Sequence, residues 1–149
     1  MTVSPVHDEF WDTPGLLRAS QALNTDECWA LIAGQTTGRI GFLHEGLVTL
    51  FPLNCIVDDR GVYFRTSEGG IIASSHLAQA AFQLDQVDTA TRSGWTVLIN
   101  GPIKRITDPG HLKTLWGSRA EEPWAPGQRN VFFGIKPGKI SGRRVHPAH

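Results

Sequence analysis

The sequence predicts a mainly β protein with short helices, built as an antiparallel barrel of about six strands with the helices at its ends. Two observations carry this. From residue 37 onward the apolar residues recur with a period of two, the repeat of a strand with one face buried. The extended runs also follow one another without the strand–helix–strand alternation that a parallel sheet requires. At 149 residues the chain suits one domain with its own core.

Residues 1–22 read as an N-terminal arm, broken by Pro5, Pro14 and Gly15 and carrying Phe10 and Trp11 as docking residues. The domain proper spans 23–149. It opens with a helix in LNTDECWALIAG. Asn24 is its N-cap, Glu27 completes a capping box, and Asp26 and Glu27 suit the positive end of the helix dipole. Gly34 supplies a left-handed stop. TGRIGFL alternates, with Ile40 and Phe42 on one face. GLVTLFPLNCIVD is almost continuously apolar, which predicts a strand buried on both faces, and Pro52 within it implies an edge, a bulge or an opening. Asp58–Gly61 is a hairpin turn by composition, with VYFRT as the returning strand. A short helical stretch follows the glycines at 69 and 70. QAAFQLDQVD places Ala80, Phe82 and Leu84 on one face. SGWTVLINGPIKRITD places Trp95, Val97 and Ile99 together, with a bulge or bend at Gly101–Pro102. Asp108 followed by Pro109 predicts a second helix over 109–117. EEPWAPGQ is a loop, and NVFFGIKP and KISGRRV are closing strands.

Composition excludes several functions. The 14 basic and 14 acidic residues cancel, so no global electrostatic grip on nucleic acid is expected. A cluster at Lys136, Lys139, Arg143 and Arg144 reads as solvated strand ends. No run of about 18 apolar residues predicts a membrane span, and the acidic, proline-broken N-terminus lacks the pattern of a signal peptide. Cys28 and Cys55 stand in apolar surroundings without a CxxC spacing, which fits free thiols in a reducing cytoplasm. The six histidines show no metal-ligand spacing, so no metal is expected. Neither a nucleophile elbow nor a Walker or dinucleotide glycine motif is present.

One stretch can carry chemistry. YFRTSEGGI, residues 63–71, sets Arg65 beside the hydroxyls of Thr66 and Ser67, with Gly69 and Gly70 able to expose backbone N–H groups. Alone, it is either a strand running into a turn or a cradle for a phosphate. FPLN breaks a strand at Pro52 and Asn54, where backbone groups can face a ligand. Trp95 and Trp124 are flat faces that serve either core packing or a planar heterocycle.

Taken in order, TDECWALI, GRIGF, FPLNCIVD, VYFRTSEGG, AFQLDQVD, GWTVLINGPIKRITDP, PWAPG and FFGIKPGKISGRR resemble the pyridoxamine 5′-phosphate oxidase-like, FMN-binding split β-barrel family over roughly residues 23–145. The resemblance implies a six-stranded split barrel forming a homodimer, with FMN in grooves at the dimer interface and a small-molecule substrate oxidised or reduced there. It implies phosphate contacts from Arg65 and Thr66, beside the Ser67 hydroxyl that the loop itself offers. It sets Pro52, Leu53, Asn54 and Cys55 beside the flavin ring, with Trp95 and Trp124 nearby. Where the family continues with Ser or Thr and then Lys, this chain has Gly70 and Ile71. A phosphate there loses one charged hydrogen bond, worth about 1.5–3 kcal/mol. Deazaflavin, FAD or haem are then alternative occupants, held for sensing rather than turnover. No catalytic side chain is singled out.

Overall fold

The computed structural model describes residues 18–118 and 130–147. Nine strand segments and three helices follow in order: β1 (Arg18–Leu23), α1 (Thr25–Ile32), β2 (Thr37–His44), β3 (Leu47–Asn54), β4 (Ile56–Val57), β5 (Val62–Thr66), α2 (Ile71–Ser74), β6 (Gln79–Asp88), β7 (Ser93–Arg105), α3 (Pro109–Gly117), β8 (Val131–Ile135) and β9 (Lys139–Pro147).

Local chemistry fixes both longer helices as expected. Asn24 Oδ1 accepts from the Glu27 N–H at 2.8 Å, and Glu27 Oε1 accepts from the Asn24 N–H at 3.0 Å, a closed capping box. Gly34 takes φ +79° just beyond the helix end. Asp108 Oδ2 accepts from the His111 N–H at 2.8 Å, ahead of Pro109 in the first turn of α3. At Asp58 the predicted hairpin turn forms, its Oδ1 accepting from the N–H groups of Arg60 and Gly61.

All strand pairings are antiparallel, in the order β3-β2-β6-β7-β8-β5-β4, with β9 joined to β7 and β1. The long β7 organises the barrel. Gly94–Asn100 pairs with β9, whereas Ile103–Arg105 pairs with β8. The change of partner falls at Gly101–Pro102, the bend expected there. Two bonds close the corner: Gly138 N–H to the Asn100 carbonyl at 2.8 Å, and Lys136 N–H to the Pro102 carbonyl at 3.2 Å. The result is a mainly antiparallel β fold of split-barrel type. Ile40, Phe64, Phe82, Leu84, Val97, Ile99 and Ile135 fill the interior. A smaller cluster, Tyr63, Phe132 and Leu115, packs α3 on the outer face of β5 and β8.

Two expectations change. Residues 18–22, assigned to the arm, form most of β1 and pair with Arg143–Pro147 of β9. Polar and small residues hid this strand, because its pairing comes from the far end of the chain. The apolar run at 47–54 is not buried on both faces. It is the sheet's edge, and Leu47 (71%), Val48 (82%) and Leu50 (64%) are largely exposed, beside Leu43 of β2. An apolar run records a surface that favours cover, not which surface covers it. Pro52 fits this edge position, where its missing N–H leaves no ladder bond broken.

Candidate functional site

The loop from β5 into α2 is built by alternation along β5. Phe64 and Thr66 face the barrel, while Tyr63 and Arg65 face α3. The Arg65 guanidinium carbon lies 5.1 Å from the ring centre of Trp116 on α3. Thr66 is buried. Beyond it the chain turns tightly, the Gly70 N–H donating to the Ser67 carbonyl at 3.0 Å. A methyl group placed on Gly70 would lie 3.0 Å from Ser67 Oγ and 3.2 Å from Thr66 Oγ1, so both hydroxyls close around the bare glycine. α2 is a single turn, shorter than the stretch expected after the glycines, and it sends Ile72 into the core while Ile71 stays at the surface.

Glu68 would oppose an anion at this loop, but its carboxylate is already engaged. Arg105 Nη1 and Nη2 donate to its two oxygens at 2.6 and 2.9 Å. That hydrogen bonding holds the Glu68 carboxyl below its usual range. The contribution of the pair is therefore present at neutral pH and is lost as pH falls through the depressed folded-state value.

Pro52, Leu53 and Asn54 end the edge strand opposite Arg39, Gly38 and Thr37, and β3 contacts β5 across the barrel. Cys55 turns inward. Its N–H donates to the Thr36 carbonyl at 2.9 Å, its Sγ lies 3.9 Å from the Gln35 carbonyl, and burial pushes its thiol up to about 12. Cys28 is fully buried, and its pKa is also raised by burial and then by Glu27. Both cysteines are free. In the folded protein both thiols are expected to resist an aromatic disulfide reagent at about pH 8, where thiolate is scarce, and to react once the chain is denatured. Rapid labelling of either one before unfolding would contradict this burial.

Trp95 is buried in the core cluster, paired with Gln86 and Arg144. It lines a cleft of about 510 Å³ with Gln86, Val87, Asp88, Ser93 and Gly94. Ten residues of β7 separate Trp95 from Arg105, up to about 33 Å along a straight strand. One chain therefore places Trp95 at the opposite end of β7 from the Glu68 loop. Trp124 and the PWAPG loop lie outside the described residues.

Three residues escaped sequence reasoning. Arg105 reads as an ordinary strand end, 37 positions from its partner Glu68. Trp116 reads as a helix residue. His111 packs edge-on to Tyr63, with ring centres 4.7 Å apart, and its buried Nε2 stands 4.0 Å from Asp58 Oδ2. Burial, then Asp58, raises the Tyr63 hydroxyl to about 12. Among the described residues no group of histidine, cysteine or carboxylate side chains is arranged to hold a metal ion. No helix among them is long and apolar enough to cross a membrane.

An antiparallel split barrel with a hydroxyl-lined glycine turn at one end defines a class of barrel proteins. The comparisons with known proteins agree on the fold. The model of the pyridoxamine 5′-phosphate oxidase family matches residues 24–144, and the chain belongs to that family. An uncharacterised protein of Mycobacterium tuberculosis, Rv0080, is 27% identical over 146 residues, covering 89% of this chain and 95% of that protein. The structure of an FAD-binding protein from Mycobacterium smegmatis is 27% identical, with a TM-score of 0.65 over 85% of this chain and 98% of that one. A candidate pyridoxamine 5′-phosphate oxidase from Corynebacterium glutamicum shares the fold at a TM-score of 0.72 and 24% identity, covering 87% and 96%.

Proposed function

We propose that the protein is a cytoplasmic, homodimeric flavin-binding oxidoreductase that takes FMN. The observation that carries this reading is the turn at 66–70. Two hydroxyls close on a bare glycine where an added methyl would be tightly packed, and the one acidic residue of the turn is tied off by Arg105. This donor set suits a phosphate monoester. Arg65 adds a cation from the α3 side, and the open edge at Pro52–Asn54 offers backbone groups to the ring. The bound isoalloxazine supplies the redox chemistry, and the chain holds and orients it. The similarity to an FAD-binding protein supports a flavin. The exposed Leu43, Leu47, Val48 and Leu50 support pairing with a second copy, since an apolar patch of this kind favours burial against a partner. Two free thiols support a reducing compartment.

The freshly purified protein is expected to absorb at about 370 and 450 nm, the bands of oxidised flavin. It is also expected to bind FMN more tightly than riboflavin, with FAD and haem titrated beside them. A colourless protein that takes up neither FMN nor riboflavin would overturn the flavin reading, and tight haem uptake alone would replace it with a haem-binding one.

A further inference from the structure

The sheet register identifies a second cation for this site, resting on the flavin-phosphate reading above. Phe64 of β5 is paired with Phe133 of β8, and Phe133 is paired with Arg105 of β7. Residues opposite one another in a ladder share a face. The Phe64 and Phe133 rings confirm it, stacked at 6.5 Å and 13°. Thr66, two residues beyond Phe64, returns to the same face. Arg105 and Thr66 thus stand on one side of the sheet, whereas Arg65 stands on the other, over Trp116. The described cation whose side chain reaches the 66–70 turn from Thr66's side is Arg105, and it does so through Glu68.

We infer that Arg105 is a phosphate-binding residue, and that Glu68 occupies its guanidinium fork as an internal stand-in which the ligand's phosphate displaces. A carboxylate and a phosphate present the same pair of acceptor oxygens to a guanidinium. The pair is about half exposed on the Arg105 side and more on the Glu68 side, so it is worth little in water and is readily exchanged. A phosphate monoester brings a charge of about −2 against the single charge of the carboxylate. Glu68 is the more exposed partner, its side chain 64% accessible against 48% for Arg105, so it can turn out to solvent when it is displaced.

The test compares FMN with riboflavin, which lacks the phosphate, in wild type, Arg105→Gln and Glu68→Gln, with thermal midpoints as the check on folding. Arg105→Gln is expected to weaken FMN about 10-fold and to leave riboflavin unchanged. Glu68→Gln is expected to tighten FMN several-fold, because it frees the fork, again without effect on riboflavin. If Glu68→Gln weakens FMN as Arg105→Gln does, the pair only props the turn and the inference is overturned. A wild type that prefers FMN, and an Arg105→Gln variant that keeps that preference, overturn the inference while leaving the flavin-phosphate reading intact. A wild type that binds both ligands equally overturns the phosphate reading, and this inference with it.

Discussion

Replacing Gly101 by alanine is expected to cost about 3 kcal/mol of folding stability, lowering the melting midpoint by roughly 10 °C for a domain of this size. The added methyl would fall 1.8 Å from the Lys136 carbonyl oxygen and 2.7 Å from the Gly138 nitrogen. Both are backbone atoms of the connection between β8 and β9, so no side chain can swing aside. The corner where β7 leaves β9 for β8 would have to open, loosening its two flanking hydrogen bonds, Gly138 N–H to Asn100 and Lys136 N–H to Pro102. Gly117→Ala is the matched control. It sits at the end of α3, where nothing beyond its own helix turn lies within 4 Å of the new methyl, and alanine is the better helix former by about 1 kcal/mol. Thermal and urea unfolding of both variants measure the contrast. A Gly101→Ala protein that melts with the wild type would show that β7 does not pass this close to the β8–β9 connection.

Arg65→Ala is expected to weaken FMN by 10-fold or more, the loss of one charge-assisted hydrogen bond, and to leave riboflavin affinity unchanged. Its effect on folding is expected to be smaller. Arg65 is only partly buried, and its stacking on Trp116 at 5.1 Å is worth about 0.5–1 kcal/mol. Isothermal titration with the two ligands, read against the melting midpoint, separates the two contributions. Equal FMN affinity in variant and wild type would remove Arg65 from the phosphate site. Arg65 and Arg105 stand on opposite faces of the sheet, so the double variant with Arg105→Gln tests whether they act on one phosphate. A combined loss that departs from the sum of the single losses indicates a shared ligand.

Much of the fold was legible because its signals are local. The capping box at Asn24, the Asp108–Pro109 helix start and the Asp58 turn each depend on residues within three or four positions. The alternation in QAAFQLDQVD and in SGWTVLIN correctly assigned the buried faces, since Phe82, Leu84, Trp95, Val97 and Ile99 are all in the core. β1 was missed because RASQAL has no apolar face of its own to announce a strand. The buried status given to 47–54 failed because hydrophobicity does not say whether the cover is the chain itself or another molecule. In the site, the turn at Thr66–Gly70 was legible from its glycines and hydroxyls. The engagement of Glu68 was not, since its partner is 37 residues away.

The sequence by itself determined the periodicities, the caps, the bend at Gly101–Pro102 and the grouping of Thr66, Ser67 and Gly70, all of which follow from chemistry between near neighbours. The tertiary structure alone decided which edge stays bare, which face each arginine takes and that the Glu68 loop meets the Arg105 end of β7. Those outcomes depend on strand order and register, both relations between distant segments: a shift of one residue in the pairing of β8 with β5 alone would move Arg105 to the opposite face of the sheet from Thr66.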